Sequence, residues 1–325
     1  MRVWQRRALK NLRNWRYRGE AALTFSIQAV LKRLPATVAI RTMRSMVKAI
    51  GPLLPRHAVV LDNLAKAYPD MPADKRRTIG REMWGHMGAM VAEYIFLDQL
   101  FDYDPDSDKV GRIEVKGEDI FRRLHAEQKP YIFFTGHTGA FELLPVCAAT
   151  FGLEVTALFR PPNNPYIAKK VLQARTTDVG NLVPSKAGAA WGLARALDKG
   201  GSVGILVDQK FRRGRLSKFF GRPVQTNPLL PKLARQYDCA VYPARCIRLE
   251  NGRYRLELEE ELVLPRDSAG QVDIDASVQV LNDTVERWVR EYPEQWMWLH
   301  RRWQVQAPFR RIGKNQILAH KAKRS

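Results

Sequence analysis

From Arg112 onward the chain alternates short, apolar, β-prone runs with stretches of helical periodicity. That alternation limits the available folds more than any other feature. Strand-like runs at 131–134, 154–159, 181–184 and 202–207 are separated by helical patterns at 141–151, 165–176 and 187–199. Strands that return to the same sheet through a helix run parallel and are covered on both faces. A further helical pattern occupies 228–237. Two late runs, 239–249 and 254–262, flank Asn251-Gly252, a strong signal for an antiparallel turn. A last helix covers 276–292. The expectation is an α/β fold with a mostly parallel central sheet flanked by helices.

The first hundred residues have a different texture. Trp4, Leu9, Leu12 and Trp15 interleave with basic residues, and 36–50 sets Val38, Ile40, Met43, Met46, Val47 and Ile50 against Arg41, Arg44 and Lys48. A basic face opposite an aliphatic and aromatic one suits either an interfacial helix or a surface helix packed on a core. A long helical pattern follows at 73–101. The longest early uncharged run, 21–31, has eleven residues, against the roughly 20 apolar residues that span a bilayer. A polytopic membrane protein is excluded. The chain divides into an amphipathic, helical membrane-attachment segment (1–55), one catalytic-sized domain (56–308) and a basic tail (309–325).

Charge locates the surfaces of interest. The 325 residues carry 54 Lys+Arg against 33 Asp+Glu, a formal +21. Seven basic residues lie before Gly19 and eight after Glu294, with no acid in either stretch. The body between them is close to balance, so the ends point to anionic partners. Cys147, Cys239 and Cys246 form no metal spacing, and their odd, low count suits buried thiols in a reducing compartment.

Three groups of residues can carry chemistry. The first is Thr135-Gly136-His137-Thr138-Gly139-Ala140-Phe141-Glu142, where an apolar strand gives way to a helix. Reactive groups in α/β sheets collect at such strand ends. Glu142, curling back, holds the imidazole of His137 in one tautomer as a base; the glycines admit substrate, and the helix start offers N–H groups to an oxyanion. The same spacing also fits a histidine that merely caps a helix. No Gly-x-Ser-x-Gly elbow accompanies it, which favours direct attack by a substrate hydroxyl. The second group comprises Arg160 and Asn164 after one strand, Arg175, Ser185-Lys186 after the next, and Asp208-Gln209 after a third. In a parallel sheet they converge on His137; Arg160 and Asp208 also read as an ion pair bracing that edge. The third is 293–303, Pro-Glu-Gln-Trp-Met-Trp-Leu-His-Arg-Arg-Trp. Arg301 and Arg302 suit a phosphorylated ligand, and an aromatic core followed by a basic tail fits the pattern equally.

Together these residues resemble the late acyltransferases of lipid A biosynthesis, the lauroyl/myristoyl acyltransferase family. The likeness runs from Asn63-Leu64 and Tyr68-Pro69, through His137-x4-Glu142, Phe159-Arg160-Pro161, Asn164-Pro165, Arg175 and Asp208-Gln209, to the 293–303 motif. It implies transfer of a fatty acyl chain from acyl carrier protein to the 3-hydroxyl of an acyl chain on a lipid A precursor. It places this reaction at the cytoplasmic face of the inner membrane. His137 is then the general base and Glu142 its partner; Arg160, Asn164, Arg175, Asp208, Gln209, Arg301 and Arg302 bind substrate or shape the site. Neither metal nor organic cofactor is implied. The family usually begins with a clearer hydrophobic anchor, which favours interfacial attachment here.

Other readings stay open at this stage. A glycolipid acyltransferase of the phosphatidylinositol mannoside type and a catalytically degenerate membrane-binding homologue share these features. A nucleic-acid-binding protein is disfavoured, because the body has ordinary charge balance and lacks any RRM, zinc-finger or helix-turn-helix signature.

Overall fold

The structure, a computed structural model, describes residues 3–107, 109, 111–159, 162–170, 182–184 and 188–305. Helices α1 (Val3–Leu31), α2 (Ala36–Ile50), α3 (His57–Ala67), α4 (Ala73–Glu93) and α5 (Leu97–Leu100) come first. Next are β1 (Ile113–Lys116), α6 (Glu118–Glu127), β2 (Ile132–Thr135), α7 (Leu144–Thr150), β3 (Val155–Phe159), β4 (Leu182–Pro184), α8 (Ala189–Asp198) and β5 (Ser202–Leu206). The chain continues with β6 (Lys210–Phe219), β7 (Arg222–Thr226), α9 (Leu229–Tyr237), β8 (Val241–Arg248), β9 (Tyr254–Leu258) and α10 (Ile274–Glu291).

Seven strands form one sheet in the order β1-β9-β8-β2-β5-β3-β4. The run from β8 to β4 is parallel, β9 is antiparallel to β8, and β1 is parallel to β9. This is the expected mostly parallel α/β sheet. Its inner strands β2, β3 and β5 are largely apolar because both faces are covered. In β2, Ile132 and Phe134 enter one core with Leu281, Val285 and Trp288 of α10, while Phe133 enters the other with Leu143 and Cys147. Each fully buried side chain of this size contributes about 1.5–3 kcal/mol. Cys147 and Cys246 are buried and Cys239 is partly so.

The sequence reading missed β1, α6 and the β6–β7 ribbon, a separate two-stranded sheet. The ribbon's first strand, Lys-Phe-Arg-Arg-Gly-Arg-Leu-Ser-Lys-Phe, does not alternate, so period-two patterning cannot find it. In the opposite sense, the 73–101 helix is shorter than its pattern: α4 stops at Glu93 and only α5 resumes.

Charge is buried at the heart of the sheet. Every residue of β8 is buried, including two arginines. Arg248 grips Glu93 of α4 through two bonds of 2.8 and 2.6 Å, and the Tyr254 hydroxyl donates to the same carboxylate. Arg245 bonds Glu257 and Glu291. Buried ion pairs of this kind add little net stability but become costly when one partner is lost. They fix α4 and α10 against β8. Helix α2 in turn lies close against α4: a Cβ on Gly88 would fall 2.3 Å from the Met43 carbonyl oxygen.

Candidate active site

Strands β2, β5 and β3 are neighbours, so their carboxyl ends open onto one crevice. The turn after β2 delivers His137, and the chain leaving β5 delivers Asp208 and Gln209. Asp208 Oδ1 accepts from His137 Nδ1 at 2.7 Å, and Oδ2 accepts from the His137 backbone N–H at 2.9 Å and from Trp296 Nε1 at 2.7 Å. Burial alone would raise the Asp208 pKa. Electrostatic attraction to the His137 imidazole and the three hydrogen bonds overcome it and hold the carboxyl well below the usual carboxylate range. With Nδ1–H spent on a carboxylate, Nε2 is the accepting nitrogen, and the Gln209 side-chain amide donates to it at 2.8 Å.

Asp208, read from sequence as a substrate-binding residue or an edge ion-pair partner, holds His137 Nδ1 from the neighbouring strand end. Glu142 sits in a single 3-10 turn, Phe141–Leu143, and lines the cavity described below. The glycine turn is not a set of waiting oxyanion donors. The N–H groups of Thr138, Gly139 and Ala140 donate to Gly136, Gln295 and Cys246 carbonyls. Gly139 is there for packing: its φ is +56°, and a Cβ would lie 1.7 Å from the Cys246 carbonyl oxygen.

The 293–303 motif is the aromatic-core alternative. Trp296 and Trp298 are buried, and the Met297 N–H donates to the His137 carbonyl at 3.0 Å. Gln295 brackets β8 by exchanging two bonds with the Arg248 backbone. Asn63 donates to the Trp298 and His300 carbonyls at 2.7 and 2.5 Å, which joins the two ends of the chain's motif set. Arg302 is not a surface phosphate ligand. It is 1% exposed, and its guanidinium donates to the Gln225 carbonyl, the Thr226 hydroxyl and Asn282 Oδ1. Burial pushes its pKa down to about 10, against a raising contribution from Asp208. Arg301 is exposed.

Asn164 is also reassigned. It is buried, and its amide donates to the Tyr17 carbonyl at 2.7 Å and to Glu20 at 3.2 Å, fastening α1 to the segment after β3. Tyr166 adds a bond to Asn14. Arg160, Arg175, Ser185 and Lys186 lie outside the described residues.

A cavity of about 440 Å³ runs inward from His137, Glu142 and Gln209. Its walls are Phe133, Val155, Ala157, Gly204, Ala244 and Leu258 of the sheet, closed by Leu144, Pro145 and Ala148 of α7 and by Phe121 of α6. Small residues on β3, β5 and β8, Ala157, Gly204 and Ala244, leave the space under α7. Lys210, Phe211 and Asn227 also line it. Lys210 continues the Asp208-Gln209 strand end read from sequence, whereas sequence reasoning passed over Phe211 and Asn227. For Trp296 the tryptophan-dense run left surface and aromatic core equally open, and the fold places it in the core. The arrangement offers a base with fixed tautomer at the entrance of an apolar chamber sized like a ligand site.

The model of the bacterial lipid A biosynthesis acyltransferase family matches residues 7–305. Among curated relatives, a lipid A biosynthesis acyltransferase of Haemophilus influenzae is 24% identical over 73% of this chain and 72% of its own. The lipid A biosynthesis palmitoleoyltransferase and lauroyltransferase of Escherichia coli are 23% and 24% identical, each covering 77% of this chain and 79% of its own. With its histidine set at a strand end above an apolar chamber, the chain belongs to the bacterial lipid A biosynthesis acyltransferase family.

Proposed function

We propose that this protein moves a fatty acyl chain from acyl carrier protein to the 3-hydroxyl of an acyl chain on a lipid A precursor. The observation that carries the reading is the Asp208–His137–Gln209 chain opening onto the apolar cavity. In this scheme the acceptor hydroxyl replaces Gln209 at His137 Nε2. The imidazole takes the hydroxyl proton as the oxygen attacks the thioester carbonyl. The tetrahedral adduct then collapses and expels the carrier's thiolate, which receives the proton back from Nε2. Asp208 keeps Nδ1 protonated and stabilises the transient imidazolium. The displaced Gln209 amide is a donor within reach of the developing oxyanion. Glu142, which lines the same cavity as His137, is the second acidic group beside the base in this reading. No enzyme thiol takes part: Cys147 is buried and burial pushes its pKa up, away from thiolate.

The protein works at a membrane surface, the cytoplasmic face of the inner membrane, through α1. No helix among the described residues is long and apolar enough to cross a membrane. Helix α1 exposes Leu12, Trp15, Leu23 and Val30 beside Arg13, Arg16 and Arg18, a composition suited to the headgroup region. Anionic lipid attracts each such cation by about 1 kcal/mol. Asn164 sets this helix beside the strand end that borders the cavity.

The test is incubation with a tetra-acylated lipid A precursor and a panel of acyl carrier protein and coenzyme A thioesters, read by mass spectrometry. A mass gain of one acyl group from carrier-bound donors is expected. Gain only from coenzyme A donors overturns the donor assignment; no gain with any donor overturns the reaction.

A further inference from the structure

The β6–β7 ribbon contains an irregularity at the mouth of the cavity. Lys210 and Arg215 both pair with Thr226, so Phe211, Arg212, Arg213 and Gly214 are pushed out of register between them. Gly214 closes this bulge against backbone: a Cβ there would lie 2.4 Å from the Thr226 carbonyl oxygen. Thr226 is itself held from behind, because the buried Arg302 donates to its hydroxyl and Asn282 bonds both Thr226 and Ser217. The far end of β6 is tied to α10 by Gln279, which exchanges two bonds with the Lys218 backbone. The bulge is therefore presented on a braced platform.

What it presents is a pair of exposed arginines beside an apolar edge. Phe211 lines the cavity mouth and is 42% exposed, and Arg212 and Arg213 are exposed on the bulge itself. Lys210 bonds Gln304, in the same turn as the exposed Arg301. In the acceptor reading, an acyl chain whose hydroxyl sits at His137 leaves its sugar headgroup outside the cavity, on the side lined by Phe211. Guanidinium groups recognise phosphate by charge-assisted, paired hydrogen bonds. Four residues are too small a footprint for a specific protein partner, which needs about 800 Å² on each side.

We propose that Arg212 and Arg213 bind the phosphate of an anionic glycolipid acceptor at the cavity mouth, with Phe211 against its acyl chain. This rests on the acceptor reading given above and adds where the headgroup is held. The experiment measures binding of the detergent-solubilised tetra-acylated precursor, with and without its phosphates, to the full chain and to the R212Q/R213Q variant. The wild type should prefer the phosphorylated form by about tenfold or more, and the variant should lose that preference. Both arginines are exposed, so an unchanged melting temperature is expected to accompany the loss. A variant that keeps the preference overturns the proposal, as does one that keeps it while losing affinity for acyl carrier protein. Acyl transfer is followed in the same samples. A wild type that binds with phosphate preference but transfers nothing counts against the reaction, not against this site.

Discussion

At the scale of the residue, burial decides which of the chain's polar groups do chemistry and which hold the frame. Arg302 and Arg301 are neighbours with opposite fates. Arg302→Met removes three hydrogen bonds inside the β7–α10 junction and should cost about 2–3 kcal/mol, read as a lower melting temperature. Arg301→Gln, at an exposed position, should stay within about 0.5 kcal/mol of wild type. Equal effects would show that Arg302 is not the buried brace. His86 supplies a pH test. Burial, with the charges of Arg248, Arg44 and Lys48, pushes its pKa down to about 2 from 6.5, so it stays neutral in the fold. The unfolded chain therefore binds one more proton than the folded chain between those values. Stability is unaffected above about pH 6.5 and falls as pH drops through that window, by about 2 kcal/mol at pH 5. Denaturant melts of His86→Gln should show a flatter pH dependence; a profile parallel to wild type would exclude His86 as its source. The identity of His137, Asp208 and Gln209 as candidates was legible in sequence, because all three follow apolar strands. Which of them touch was not, since the contact between β2 and β5 ends depends on strand order.

At the scale of the element, the alternation of apolar runs and helices located β2, β3, β4, β5, β8 and β9 to within two or three residues at most ends; β9 stops at Leu258, four residues short of the predicted end. Of these, β2, β3 and β5 are largely apolar on both faces, and β9 alternates apolar and charged residues. The β6–β7 ribbon was invisible, because β6 exposes Phe211 and Leu216 among its arginines and lysines while burying Ser217 with Phe219, so hydropathy does not follow burial along it. Hydropathy therefore overlooked the element that borders the cavity mouth. The two N-terminal helices also separate at this scale. Their sequence patterns look alike, but α2 is packed tightly on α4, whereas α1 is held at its middle through Asn14, Tyr17 and Glu20. Deleting residues 1–31 should thus release the protein from anionic vesicles while leaving a folded core. Sedimentation with vesicles unchanged by that deletion would place membrane contact elsewhere.

At the scale of the whole molecule, two anchoring systems converge on one loop. The sheet brings His137 and Asp208 together from adjacent strands, and the 293–303 segment clamps the same turn through Trp296, Gln295 and Met297. Asn63, near the opposite end of the chain, ties that clamp to α3. The family's most distinctive residues are thus largely framework around a small reactive centre. Their spacing in sequence is legible as a signature, but their function as a clamp needs the fold. The surplus of positive charge reads differently once folded: part lies on α1, part on the ribbon bulge, and Arg302 is withdrawn into the interior. The measurement that tests the account most directly compares wild type, His137→Ala and Asp208→Asn for acyl transfer from acyl carrier protein to a tetra-acylated lipid A precursor, with melting temperatures recorded in parallel. The account predicts turnover lowered by about 10²–10⁴-fold for His137→Ala and a comparable loss for Asp208→Asn, with His137→Ala still folded. A folded His137→Ala variant that transfers acyl chains at the wild-type rate would contradict it.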